Sequence, residues 1–184
     1  MRLFVSVDLP DDLTEPIADL QEDFARADGL RFTDPEQAHL TLKFLGETDE
    51  DRVEEVSTAI ERGVEESEVS PFVAQFGGLG VFPSLEYISV VWLGVEEGAE
   101  DLTRLHEATE TRTVGIGFDP EDHDFTPHVT LARMDHAAGK EVVQEVVTSR
   151  APVVGEMHVE EVRLTESELT PEGPAYRTVE RFPL

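Results

Sequence analysis

The chain of 184 residues contains no cysteine, which excludes disulfides, thiolate metal centres and a cysteine nucleophile. Lysine is almost as scarce: Lys43 and Lys140 stand against twelve arginines. No long apolar run is present. The least charged stretch, Pro71 to Val95, is interrupted by Glu86, Pro83, Gly77, Gly78, Gly80 and Gly94, so it reads as strands and turns and not as a membrane span. The apolar part of the opening MRLFVSVDLPDD is too short for a signal peptide, and Asp8 and Pro10 break it. A cytoplasmic protein without membrane association is the expectation. HExxH, GxGxxG, GKS/T and GxSxG are also missing, which leaves zincin, dinucleotide, P-loop and serine-hydrolase readings without their motifs.

Negative charge is what the chain has in excess. Asp and Glu number 41 and Lys and Arg 14, a formal net charge of −27. Yet 39% of residues are hydrophobic, and Leu, Ile, Val and Phe together exceed the ~20% below which such charge means disorder. One packed domain spanning 1–184 is expected. An acid-rich, lysine-poor surface suits molar salt, where the Debye length is ~3 Å at 1 M; the alternative is an ordinary acidic cytosolic protein. The charge is uneven. Glu47 to Ser70 and Glu96 to Asp124 each hold ten acids and two arginines, whereas AHLTLKFLG and FTPHVTLARM hold no acid and one base each. Long-range repulsion therefore disfavours extended RNA binding but leaves capture of one phosphate open.

Periodicity predicts a strand in LFVSV, a helix over 11–25, a strand over 39–47 and a helix with Val53, Val56, Ile60 and Val64 on one stripe. An extended, glycine-marked segment follows. The order then repeats: strand 88–95, helix from about Ala99 to Arg112, strand 128–134 and a helix carrying Val142, Val143, Val146 and Val147, with closing strands near 153–164 and 175–182. This looks like an internal duplication, approximately 1–87 and 88–184. The fold class expected is α+β, two lobes about a pseudo-twofold axis with a central cleft.

Both copies carry HxTL. In a strand, residues i and i+2 share a face, so His39 projects with Thr41 and His128 with Thr130, while the leucines and Val129 anchor the strands. One such tetrapeptide is commonplace; two at matching places in a repeat form a constellation. Two imidazoles on either side of a bound phosphate suit in-line displacement, one as base and one as acid, with hydroxyl donors beside them and no metal required. The loop at Asp122, His123 and Asp124 is a weak metal candidate, since adjacent residues rarely converge on one ion. His106, His136 and His158 fall outside any constellation. Strand parity places Lys43 on the face of His39 and Phe44 in the core.

The chain resembles the 2H phosphoesterases, in the branch of RNA 2′,3′-cyclic phosphodiesterases also described as 2′-5′ RNA ligase-like. The resemblance rests on RLFVSVDLP, PEQAHLTLKFLGE, FGGLGVFPS with VVWLGV, FTPHVTLARM and ESELTPEGPAY with RFPL, in that order. It implies a bilobal fold of two small antiparallel sheets with outer helices. It also implies metal-independent and cofactor-free hydrolysis of an RNA terminal 2′,3′-cyclic phosphate to a 2′-phosphate, with 2′-5′ ligation as the reverse. By resemblance His39 is the proton donor, His128 the proton acceptor, and Thr41, Thr130 and Arg133 bind substrate. Strand parity alone puts Arg133 on the wrong face, so that role requires the strand to bend before it. Phe32 stands where the family often has tryptophan, and packing is its expected role. The implied partner is an RNA 3′ end or a small cyclic nucleotide, taken by a monomer. Two alternatives stay open: a 2H phosphodiesterase on a small cyclic nucleotide, and a non-catalytic RNA-binding protein.

Overall fold

The computed structural model describes residues 1–184. Nine strands and four α-helices follow in chain order: β1 (Arg2–Asp8), α1 (Thr14–Glu22), β2 (Leu30–Phe32), β3 (His39–Glu47), α2 (Val53–Ser67), β4 (Phe72–Pro83), β5 (Ile88–Glu97), α3 (Ala99–Gly115), β6 (His128–Met134), α4 (Lys140–Ser149), β7 (Val153–Val159), β8 (Glu161–Thr170) and β9 (Gly173–Pro183). The two HxTL strands begin at their histidines, as the pattern predicts. The first helix is shorter than expected. A 3₁₀ turn over Asp11–Leu13 precedes it, and Pro16 occupies its first turn, where no intrahelical N–H is lost. Three strands, not two, close the chain.

All nine strands form one antiparallel sheet in the order β7-β4-β5-β6-β3-β1-β8-β9, with β2 also paired to β6. The expectation of two sheets in separate lobes is thereby overturned. β3 and β6 pair through Leu40 and Val129 and fuse what would have been two inner edges. Edge strands side by side with unpaired N–H and C=O groups would leave those groups unsatisfied, and pairing removes the deficit. The halves also exchange strands. β4 hydrogen-bonds to β5 and β7, while β8 and β9 extend the sheet from β1.

A single residue, Glu160, links β7 to β8, which lie near opposite ends of that order. Consecutive Cα atoms are about 3.8 Å apart, so those strand ends meet within ~8 Å. A flat sheet at ~4.8 Å per strand would hold them roughly 30 Å apart. The sheet must therefore curl into a half-barrel.

The helices cover one face. Val56, Ile60 and Val64 of α2, Leu102 and Leu105 of α3, Ile17 and Leu20 of α1, and Val143 and Val146 of α4 join Leu3, Val5, Val7, Leu40, Leu42, Val129 and Leu131 in a single buried cluster. Lys43 belongs to this face too, 2% exposed. Strand parity fails there because Thr41 pairs with Ser6 and Lys43 with Val5, leaving Leu42 as the extra residue of a β-bulge. The same bulge turns Phe44 out to 62% exposure, so both expectations for these residues are reversed.

The buried ammonium is paired. Lys43 Nζ lies 2.7 Å from Glu110 Oε2 and donates to the Asp119 carbonyl at 2.6 Å. Burial alone would push the Glu110 carboxyl up, but the Lys43 ammonium and the Glu121 N–H hold it below its usual value. Lys43→Met should cost about 3 kcal/mol in denaturant unfolding, because it strands a largely buried carboxylate. Arg26→Ala, which removes an exposed pair with Glu145 at 3.5 Å, should cost less than ~0.5 kcal/mol. Equal costs for the two would show that the Lys43 cluster contributes no more than a surface pair.

Candidate active site

Antiparallel pairing through Leu40 and Val129 sets His39 beside Thr130 and Thr41 beside His128, all on the face away from the helical core. The four side chains are thus neighbours on one sheet, not residues facing each other from two lobes. Each imidazole is fixed by its own strand entry. His39 Nδ1–H donates to the Gln37 carbonyl at 3.0 Å and His128 Nδ1–H to the Thr126 carbonyl at 2.7 Å. Since a carbonyl only accepts, Nδ1 carries the proton and Nε2 is left for chemistry. These carbonyls lie two residues upstream and carry no side-chain signature in the sequence.

Arg133 reaches the same face by a device that mirrors the one at Leu42. In the β5–β6 ladder Trp92 pairs with Thr130 and Val91 with Ala132, so Leu131 is an extra residue. The bulge reverses parity, buries Ala132 and turns Arg133 outward beside the histidines. The bend that the resemblance required is therefore present. The Arg133 charge acts on both imidazoles and on the Tyr176 phenol.

Burial lowers the pKa of both histidines below the usual value. For His39 the Gln37 carbonyl and the Asp8 carboxylate oppose the shift and Arg133 adds to it. For His128 the Thr126 carbonyl opposes it, while Arg133, His39 and His123 add to it. Burial thus disfavours the protonated form of both rings in the free protein, and an anion between them would favour protonation of one.

Aromatic rings enclose the pair, and no motif in the sequence assigns them there. Phe4 and Tyr176 lie 5.0 and 4.8 Å from the His39 ring, and Phe82 and Trp92 lie 4.9 and 5.9 Å from His128. Gly80 makes room for the indole, because a Cβ there would overlap it. Phe32, by contrast, pairs with buried Ala132, away from this face, and is 39% exposed, so it is neither packed nor available for stacking beside the histidines.

Behind the face, each bulge carbonyl is held by a buried side chain. His106 Nδ1–H donates to Leu42 O at 2.6 Å, and its ring stacks on Phe125 at 4.2 Å. Gln21 Nε2 donates to Leu131 O at 3.0 Å and to Thr33 O at 2.8 Å. His106 thereby touches both the Thr41 strand and the loop that leads to His128. His136 caps a 3₁₀ turn, accepting from the Ala138 N–H, and His158 lies in β7. His123 is 72% exposed and paired with Asp122 at 3.0 Å. No group of three or more His, Asp or Glu side chains converges anywhere, the Asp122 to Asp124 loop included, and no helix is long and apolar enough to cross a membrane.

The family model of the 2′-5′ RNA ligase superfamily matches residues 9–170. The RNA 2′,3′-cyclic phosphodiesterase of Methanothermobacter thermautotrophicus is 37% identical over 189 residues, covering 100% of this chain and 99% of the relative. That of Archaeoglobus fulgidus is 36% identical, with 99% of each chain covered. Among solved structures, a protein of Thermus thermophilus superposes with a TM-score of 0.82 at 31% identity, over 100% of this chain and 98% of the other. E. coli LigT complexed with phosphate gives 0.76 at 25% identity, over 100% and 96%. Shared sequence along nearly the whole length, a shared fold and two histidine-threonine strands joined on one face agree: the chain belongs to the 2′-5′ RNA ligase superfamily, among the 2H phosphoesterases.

Proposed function

We propose that the protein is an RNA 2′,3′-cyclic phosphodiesterase that opens a terminal cyclic phosphate by two-histidine acid–base catalysis. The observation that carries this reading is the placement of two Nε2 atoms and two threonine hydroxyls on one face beside an unpaired arginine. The sequence relatives named RNA 2′,3′-cyclic phosphodiesterase support the substrate.

In this mechanism the phosphate rests between the imidazoles. Thr41, Thr130 and Arg133 hold its nonbridging oxygens through hydroxyl and guanidinium donors. His128 Nε2 takes a proton from water as the water oxygen bonds to phosphorus, and the bond from phosphorus to O3′ breaks. His39 Nε2 gives its proton to that departing oxygen, leaving a 3′-hydroxyl and a 2′-phosphate. With a 5′-hydroxyl in place of water as the nucleophile, the same transfers form a 2′-5′ phosphodiester as O3′ departs, which accounts for ligation, and that exchange of one ester for another is reversible. Every step uses side chains of this chain. The reading includes a monomer, checked by sedimentation, that works in the cytoplasm.

His39→Ala and His128→Ala should each lower kcat on an RNA 3′-terminal cyclic phosphate by ~10²-fold or more, and excess EDTA should leave the wild-type rate unchanged. A double variant at full rate, or loss of activity in EDTA, sinks the mechanism. A product phosphate on the 3′ oxygen would sink the assignment of His39 to the O3′ leaving group.

The lowered histidine pKa values set the pH dependence. kcat/KM reports the free enzyme, whose acid must be protonated, so it should rise as the pH is lowered from about 7.5 toward 6 and fall again once the base is protonated too. A maximum above pH 8 contradicts this. The sign for stability is the same for both rings. Their folded pKa values lie below the unfolded one, so their contribution is present above about pH 6.5 and is lost as the pH falls through the lowered values.

We read the surface as an adaptation to concentrated salt. The unfolding midpoint should therefore rise between about 0.1 and 2 M KCl as carboxylate repulsion is screened; a falling midpoint would return the chain to an ordinary acidic protein.

A further inference from the structure

Nine of the twelve arginines lie within 4.0 Å of a carboxylate. The three without such a partner are Arg2, Arg62 and Arg133. In a chain this acidic, a guanidinium without a carboxylate is the exception. Arg62 lies in a groove between α2 and α3, lined with Asp51, Glu54, Glu55 and Glu66. Arg133 stands beside the histidines. Arg2 is therefore the one left without an assignment.

The register places Arg2 on the catalytic face. It pairs with Ser167 of β8, which pairs with Tyr176 of β9, and residues paired across antiparallel strands share a face. The Tyr176 ring contacts His39 at 4.8 Å and Phe4 at 5.5 Å. Arg2 is two residues before Phe4 on the same strand, a step of about 7 Å along that face. Burial raises the Tyr176 pKa, and the charges of Arg133 and Arg2 both oppose the shift, so the phenol lies within reach of both guanidinium fields. The carboxylate opposite Arg2 in the β1–β3 ladder, Glu47, is instead 3.9 Å from the Met1 ammonium. Arg2 is exposed and keeps its donors free.

We propose that Arg2 forms a second phosphate subsite, which takes the phosphodiester adjacent to the terminal cyclic phosphate, so that the preferred substrate is an oligoribonucleotide end and not a free cyclic nucleotide. This rests on the phosphodiesterase reading above. Arg133 serves the reacting phosphate. Arg2, beyond the Phe4 and Tyr176 rings, serves its neighbour through charge-assisted hydrogen bonds. A strongly anionic protein can thereby hold a short RNA terminus with two local cations while its remaining surface repels the rest of the strand.

Three substrates at one ionic strength test this: a 2′,3′-cyclic mononucleotide, a dinucleotide ending in the cyclic phosphate, and the same dinucleotide with a neutral methylphosphonate linkage. Both dinucleotides carry a 2′-O-methyl on the first sugar so that the internal linkage survives. Arg2→Gln should lower kcat/KM about tenfold on the charged dinucleotide and leave the mononucleotide and the methylphosphonate unchanged. In the wild type, the charged dinucleotide should exceed the methylphosphonate by the same factor. Arg2→Lys should recover part of the loss. An equal loss on all three substrates, or no loss on any, overturns the subsite while the phosphodiesterase stands. A wild-type protein inert on all three ends both.

Discussion

The pairing of Leu40 with Val129 is the constraint on which the rest of this structure depends. It joins two strands that enter the sheet at their histidines, and its antiparallel sense puts each histidine beside the other strand's threonine. It also turns two potential sheets into one, whose curl is forced by the single residue between β7 and β8. The bulges at Leu42 and Leu131 then decide what stands beyond the threonines, sending Lys43 and Ala132 inward and Phe44 and Arg133 outward. His106 and Gln21 fill the carbonyls those bulges expose, so the site is held from behind by side chains that never reach it.

Electrostatics divides the molecule in the same way. Most arginines are spent on carboxylates at the surface, and the buried lysine is engaged by Glu110 and the Asp119 carbonyl. Around the histidines the surroundings are aromatic and partly desolvated, which disfavours a protonated ring until an anion arrives. The net charge of −27 describes the perimeter and says little about this patch.

Much of this is legible in the sequence, and the limits are physical. His39 with Thr41 and His128 with Thr130 follow from a period of two, which holds as long as the strand stays regular. At Leu42 and Leu131 it does not, and a bulge leaves no residue-type signature in either tetrapeptide. Parity consequently puts Lys43 and Phe44 on the wrong faces, and Arg133 reaches its face only through a bend that parity cannot supply. His106 reads as one more polar residue of an acidic helix, because the carbonyl it serves is visible only in three dimensions. The fold class goes astray for a related reason. Two similar halves suggest two sheets, but backbone groups at adjacent edges pair whatever their side chains are.

One residue of the aromatic wall has a use unrelated to substrate. Trp92 is the only tryptophan in the chain and lies 5.9 Å from the His128 ring. A protonated imidazole quenches indole emission far more strongly than a neutral one. The intrinsic fluorescence of the whole protein is therefore a native optical probe of the charge on one histidine, readable in concentrated salt without a label.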